Sequence, residues 1–156
     1  MGGMAYANSL GAPVIALTCS SKSEMAKLAQ ITIAPDCGPE VITGSTRMKC
    51  GTAQKMVLNM ITTAVMIKLG KVYGNLMVDV KASNKKLQER AVSIVMQATG
   101  AEQAEAAEAL DACSGNCKTA IVCIKCSMTC EEAVQALENE NGFINRVLEK
   151  YRTEEV

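Results

Sequence analysis

Two short apolar runs limit what this chain can build. Residues 13–19 and 31–35 are rich in Val, Ile and Leu and read as buried parallel strands. Helical patterns precede and separate them: residues 4–10, stopped by Gly11, and residues 24–30, with Ser23 as the N-cap. This helix–strand–helix–strand rhythm belongs to an open α/β sheet. Two strands alone do not make a parallel sheet with both faces covered. The expectation is therefore the end of a longer α/β domain: an amino-terminal truncation, a split reading frame, or a fragment completed by association.

The remainder reads as helix. Residues 45–71 form one long pattern, apolar nearly all round from Met56 to Leu69, which predicts deep burial. Lys55, Asn59 and Thr62 or Thr63 draw a thin polar line along it, expected to face a neighbouring element. Gly70 and Gly74 bracket a break. Residues 83–99 carry Leu87, Ala91, Ile94, Val95 and Ala98 on one stripe, with Lys85, Lys86, Glu89 and Arg90 outside it. Beyond Gly100, residues 101–112, 117–126 and 129–137 read as three short helices, the third opened by a Thr129-x-x-Glu132 capping box. Asn141-Gly142-Phe143 starts a last set of helical turns ending near Tyr151, and residues 152–156 read as a frayed tail.

Composition removes several kinds of chemistry. The chain has no histidine, which excludes imidazole metal ligands and every nucleophile system built on His. Acid–base work must fall to carboxylates, Lys, Tyr or Cys. The formal net charge is zero, which argues against a nucleic-acid partner. Aromatics are 3% of residues, so the core must be aliphatic side chains and Met, among them Met48, Met56, Met60, Met66 and Met77. The start lacks a basic, then apolar, leader pattern, and residues 56–69 fall short of the ~20 residues a spanning helix needs. A cytoplasmic protein with no membrane partner is expected, with its eight cysteines as reduced thiols. Lys81, Lys85 and Lys86 read as a solvated basic face.

Cys113, Cys117, Cys123, Cys126 and Cys130 suggest metal binding, since Cys123-Ile124-Lys125-Cys126 is a CxxC. Cys123 and Cys126 sit in an apolar helical pattern, however, and Cys117 and Cys130 lie at its opposite ends. The favoured reading is small apolar core residues, with no metal and no cofactor.

The segment with most chemistry is Gly38-Pro39-Glu40-Val41-Ile42-Thr43-Gly44-Ser45-Thr46-Arg47-Met48-Lys49. A loop that leaves a strand and opens a helix offers free backbone N–H groups to an anion. Gly44 permits close backbone approach, Ser45 and Thr46 bring hydroxyls, and Arg47 and Lys49 bring positive charge. Glu40 is the one group there suited to moving a proton. Ordinary capping, with Thr43 or Ser45 as N-cap and Pro39 in a turn, is the alternative.

Residues 38–55, GPEVITGSTRMKCGTAQK, resemble the signature of the N-acetylmuramic acid 6-phosphate etherase family, which is shared with glucokinase regulatory proteins. Both belong to the sugar isomerase (SIS) class of sugar-phosphate-binding domains. The likeness continues through residues 56–60 and 70–80 and weakens after about Gln97. Cys50 departs from the pattern, where a smaller residue is expected. The resemblance implies an α/β fold: residues 1–80 as the carboxy-terminal part of an SIS parallel-sheet domain, 81–100 as a connecting helix, and 101–156 as a small three-helix appendage.

It also implies a reaction. The lactyl ether of N-acetylmuramic acid 6-phosphate would be broken by elimination and water addition, giving N-acetylglucosamine 6-phosphate and D-lactate without a cofactor. Glu40 becomes the local acid–base candidate. Thr43, Gly44, Ser45, Thr46, Arg47 and Lys49 become candidate substrate contacts, with Arg47 equally able to pair with Glu40. The family's main acid–base glutamates and serine-rich phosphate loop are expected before Met1. The implied partners are a sugar phosphate and a second copy of the chain. A non-catalytic sugar-phosphate regulator of the glucokinase-regulatory kind is the other reading.

Overall fold

The computed structural model describes residues 1–80 and 82–152. Lys81 of the expected basic face, and residues 153–156 of the expected tail, lie outside the described residues. Two compact units divide the chain between Thr63 and Ala64.

The first unit has the expected rhythm. α1 (Gly2–Ser9), β1 (Ile15–Leu17), α2 (Glu24–Leu28) and β2 (Ile31–Ile33) lead into α3 (Lys49–Lys68). β1 and β2 pair in parallel, with Ile15 opposite Ile31 and Leu17 opposite Ile33. The Ser23 hydroxyl caps α2 by accepting from the Ala26 N–H. Polar side chains fasten α1 to the rest of the unit. Asn8 Nδ2 donates to the Leu28 carbonyl at 2.7 Å, Gln30 Nε2 donates to Asn8 Oδ1, and Gln30 Oε1 accepts from the Val14 N–H at 2.7 Å.

α3 differs from expectation in two ways. It starts at Lys49, because residues 45–48 are taken up in turns. It is also not buried: Met56, Leu58, Met60, Val65, Met66, Ile67 and Leu69 are all exposed, and Cys50 is the buried residue of the helix. The all-round apolar pattern is real, but among the described residues no element covers most of it. The polar line behaves likewise: Lys55, Asn59 and Thr62 are exposed, and the Thr62 hydroxyl donates back to the carbonyls of Leu58 and Asn59.

The second unit holds the core. It contains the end of α3, a hairpin of β3 (Val72–Tyr73) and β4 (Leu76–Met77), and the helices α4 (Lys85–Thr99), α5 (Gln103–Ala112), α6 (Cys117–Cys126), α7 (Cys130–Asn139) and α8 (Ile144–Arg152). The hairpin replaces the expected break. Its signal is a Gly74-Asn75 pair between β-formers, with Gly74 at φ 57 in the first central turn position. Residues 101–152 hold four helices, the last of them the helical turns expected before Tyr151, and α4 packs on them.

α6 is the hub, touching α4, α5, α7 and α8. Ala120, Ile121 and Val122 on it are fully buried, against Val95 of α4, Ala106 of α5, Ala133 of α7 and Val147 of α8. Three consecutive buried residues mean that this helix is surrounded on most sides. The capping box is present, with the Thr129 hydroxyl accepting from the Glu132 N–H and the Glu132 carboxylate accepting from the Thr129 N–H. Gly70 ends α3 at φ 66, where a Cβ would stand 3.0 Å from the Gly142 carbonyl oxygen.

The cysteines are not all free thiols. Cys113 closes α5 and Cys130 opens α7, and the two form a disulfide with their Cα atoms 5.6 Å apart. The turn between α6 and α7 folds the helix ends together and makes this pairing. Cys117 packs as a buried core residue, and Cys123 and Cys126 are half-buried against the core.

Burial predicts an uneven response to truncation. Ile121→Ala is expected to destabilise the second unit by about 2–5 kcal/mol. Val134→Ala, on the exposed side of α7, is expected to stay within about 0.5 kcal/mol of the parent. Denaturant midpoints of the two variants measure the contrast.

Candidate functional site

β1 and β2 run in the same direction, so the segments that leave them emerge on one edge. In open α/β sheets that carboxyl edge is where ligands bind. Three segments meet there: residues 18–20 after β1, residues 34–48 after β2, and the start of α3. All of the candidate residues of the signature lie in the second segment or at the start of the third.

Glu40 organises this edge. Its Oε2 accepts from the Lys49 N–H at 3.1 Å and its Oε1 from the Cys50 N–H at 3.0 Å. The carboxylate therefore caps α3 from nine residues upstream, in place of the Thr43 or Ser45 hydroxyl expected there. A negative group on a helix N-terminus is favoured by the unpaired N–H groups and by the macrodipole. Those two backbone hydrogen bonds lower the Glu40 pKa below its ordinary 4.5. The free N–H groups expected to meet an anionic ligand are thus partly occupied by the protein's own carboxylate.

The remaining candidates stand around that cap. Lys49 Nζ donates to the Pro39 carbonyl at 2.9 Å, which ties the loop to the helix a second time. The Ser45 N–H donates to the Ile42 carbonyl, closing a turn in which Gly44 takes φ 83. No Cβ contact constrains Gly44, so its glycine requirement comes from backbone conformation. Thr43, Thr46 and Arg47 are exposed and Ser45 is half-buried. Among the described residues Arg47 makes no ion pair, so the alternative Glu40–Arg47 pairing is not formed. Thr43, Thr46 and Arg47 are left exposed beside a carboxylate that both its oxygens hold in place, while the Lys49 ammonium is tied to the loop.

Sequence reasoning missed one group on this edge. Cys19, Cys37 and Cys50, one from each segment, bring their sulfurs together within 4.8 Å of one another. The spacings of 18 and 13 residues give no motif; the parallel pairing of β1 with β2 brings Cys19 and Cys37 together, and the loop that Glu40 fastens to α3 brings Cys50.

Comparisons with known proteins bear on this edge directly. Residues 74–113 match the family described as the C-terminal lid domain of glucokinase regulatory protein. Over 148 residues, 95% of this chain, the sequence is 55% identical to the N-acetylmuramic acid 6-phosphate etherase of Klebsiella aerogenes. It is 53% identical over the same share to that of Photobacterium profundum, and 54% identical over 92% to that of Clostridium botulinum. The resemblance is to the N-acetylmuramic acid 6-phosphate etherase family. The chain spans about half the length of these curated relatives, 48–49% of each. The likeness to the etherases includes the loop that Glu40 holds, since the aligned share leaves out only a few residues of this chain.

The cap sets a pH dependence. A carboxylate whose folded pKa is depressed contributes stability that is fully present above its ordinary 4.5 and is lost as pH falls through the lower folded value. An NMR titration of the Glu40 carboxyl carbon is expected to give a midpoint below 4.5. A midpoint at or above 4.5 would show that the carboxylate does not sit on the Lys49 and Cys50 N–H groups.

Proposed function

We propose that this chain supplies the signature-bearing half of an N-acetylmuramic acid 6-phosphate etherase. The observation that carries the reading is 52–55% identity to etherases over nearly all of the chain, together with the signature loop set at the carboxyl edge of two parallel strands. The substrate is a sugar phosphate. A base removes the proton next to the open-chain carbonyl, D-lactate leaves from the neighbouring carbon with its ether oxygen, and water adds to the resulting double bond. The product is N-acetylglucosamine 6-phosphate.

In this reading Ser45, Thr46, Arg47 and Lys49 contact the substrate, and Thr43 and Gly44 shape the turn that presents them. Two cations and two hydroxyls suit a phosphate or carboxylate group. Glu40 is the local acid–base candidate and, as the cap of α3, also the group that holds the loop still. Its lowered pKa leaves it in the ionised form that a base needs, and makes it a weaker base than an ordinary glutamate. The protein works in the cytoplasm, and two copies associate. The exposed apolar side chains of α3 support association, because an open patch of this kind is a contact surface in most proteins.

A second reading has its own support. The match of residues 74–113 to the lid domain of glucokinase regulatory protein favours a sugar-phosphate sensor without turnover. Lactate release separates the two readings, because both predict binding and only the etherase predicts product.

The 156-residue chain by itself is expected to release no lactate from the muramic acid phosphate, since it spans half of the relatives' length. Turnover of roughly 1 per second or faster from this chain alone would show a complete site within it. In an etherase-length protein carrying this sequence, Glu40→Gln is expected to lower turnover by ~100-fold or more. If Glu40 only holds the loop, the same substitution raises KM together with the fall in kcat. Near-normal turnover removes it from the chemistry.

Association is expected to show in sedimentation velocity as a species of two or more chains. A clean monomer at high concentration would contradict it. Met60→Glu, placed on the exposed face of α3, is expected to shift the population toward monomer.

A further inference from the structure

The edge that carries Glu40 also carries three thiols that the etherase reading does not use. Cys19 follows β1, Cys37 follows β2, and Cys50 sits in the first turn of α3. The Cys19 and Cys37 sulfurs are 3.9 Å apart, and all three lie within 4.8 Å of one another. Cys50 is buried and the other two are half-buried. Each thiol has only weak partners. Cys19 Sγ lies 3.8 Å from the Cys50 carbonyl oxygen and Cys37 Sγ lies 3.7 Å from that of Pro35.

The geometry points to a thiolate site for a closed-shell, thiophilic cation, formed by Cys19, Cys37 and Cys50. A cation bound to sulfur at about 2.3 Å in tetrahedral geometry holds its sulfurs about 3.8 Å apart. The Cys19–Cys37 separation already matches that spacing, and Cys50 closes the triangle. Soft thiolate sets select ions such as Zn²⁺ or Cu⁺ over the hard cations that oxygen ligands prefer. As each sulfur–metal bond forms, that thiol gives up its proton to solvent. A fourth position stays open for water.

Cys50 lies in the first turn of a 20-residue helix, which holds it on a rigid element. The Glu40 carboxylate lies beside Cys50, since it accepts from the Lys49 and Cys50 backbone N–H groups. Metal binding would clamp together the three segments that form the carboxyl edge. The other converging trio, Cys113, Cys123 and Cys130, lacks this capacity. Its Cys113 and Cys130 sulfurs are joined as a disulfide, which leaves one thiolate.

The test is a Zn²⁺ titration of the full metal-free chain against a chromophoric chelator, with the disulfide intact. One Zn²⁺ per chain is expected. Cys19→Ser and Cys37→Ser should each weaken it by at least ~100-fold, the upper end of what an outer partner alone costs. Cys126→Ser should leave it unchanged. On the unsubstituted chain, Zn²⁺ should protect Cys19, Cys37 and Cys50 from alkylation as read by peptide mass spectrometry. Co²⁺ in place of Zn²⁺ should give the thiolate charge-transfer absorption. The proposal is overturned if no Zn²⁺ is retained, if protection falls on Cys117, Cys123 or Cys126 instead, or if the Cys19 and Cys37 variants bind as the parent does. The readout is binding, so a failure here is distinct from a failure of the etherase assay.

Discussion

The carboxyl edge of the first unit depends on one carboxylate. Glu40 lies in a loop that has few other ties, and its two oxygens take the Lys49 and Cys50 N–H groups that would otherwise be orphaned at the start of α3. The residues between them are closed into a ring by that contact, with Lys49 Nζ on the Pro39 carbonyl as a second fastening. Gly44, Ser45, Thr46 and Arg47 are presented from this ring. Any ligand that meets them meets a surface whose shape the cap sets. A helix N-terminus is usually discussed as a place for a ligand's negative charge. Here the protein has supplied that charge itself, which leaves side-chain hydroxyls and cations as the means of holding an anionic group.

The two units differ in how they are held. The second is a conventional core, with α6 buried among four helices and α4 turning Ala91, Ile94, Val95 and Ala98 inward at helical intervals. The first has Ala16 and Cys50 as its buried apolar residues and relies on strand pairing, side-chain hydrogen bonds and the Glu40 cap. Ile15 and Ile31, opposite each other on the paired strands, are both more than half exposed. A parallel pair normally has helices on both faces. The pattern of residues 13–19 and 31–35 encodes a buried strand pair, and the observed pair keeps the sequence signature without the burial.

That contrast explains which parts of the structure were legible in the sequence. Helices with a stripe of apolar residues, such as α4, and helices with a side-chain cap, such as α2 and α7, follow from local pattern. The start of α3 did not, because its cap comes from Glu40, nine residues upstream, rather than from an adjacent Ser or Thr. The hairpin was missed although the Gly74-Asn75 pair between Val72-Tyr73 and Leu76-Met77 carried its signal. The Cys113–Cys130 bond was missed because cysteines in helical patterns read as core, and pairing depends on the α6–α7 turn bringing two helix ends together. The candidate loop was found from its residue types, but not the arrangement inside it, since backbone acceptors and donors do not show in side-chain pattern.

The exposed face of α3 is the clearest conflict between pattern and surroundings. Its residues from Met56 to Leu69 are apolar nearly all round, broken by Asn59, Thr62, Thr63 and Lys68, and a helix of that kind is usually covered. Propensity does not decide the matter, since Met, Leu and Lys favour helix while Val, Ile and Thr oppose it weakly. The free energy available from covering such side chains is large, about 1.5–3 kcal/mol for each one fully buried. Met56, Leu58, Met60, Val65, Met66, Ile67 and Leu69 are each about half exposed, so covering them would yield about half of that per side chain. Met56, Leu58 and Met60 lie in the first unit, whose buried apolar residues are Ala16 and Cys50, so contact with another protein surface there would add to a unit that has little core of its own.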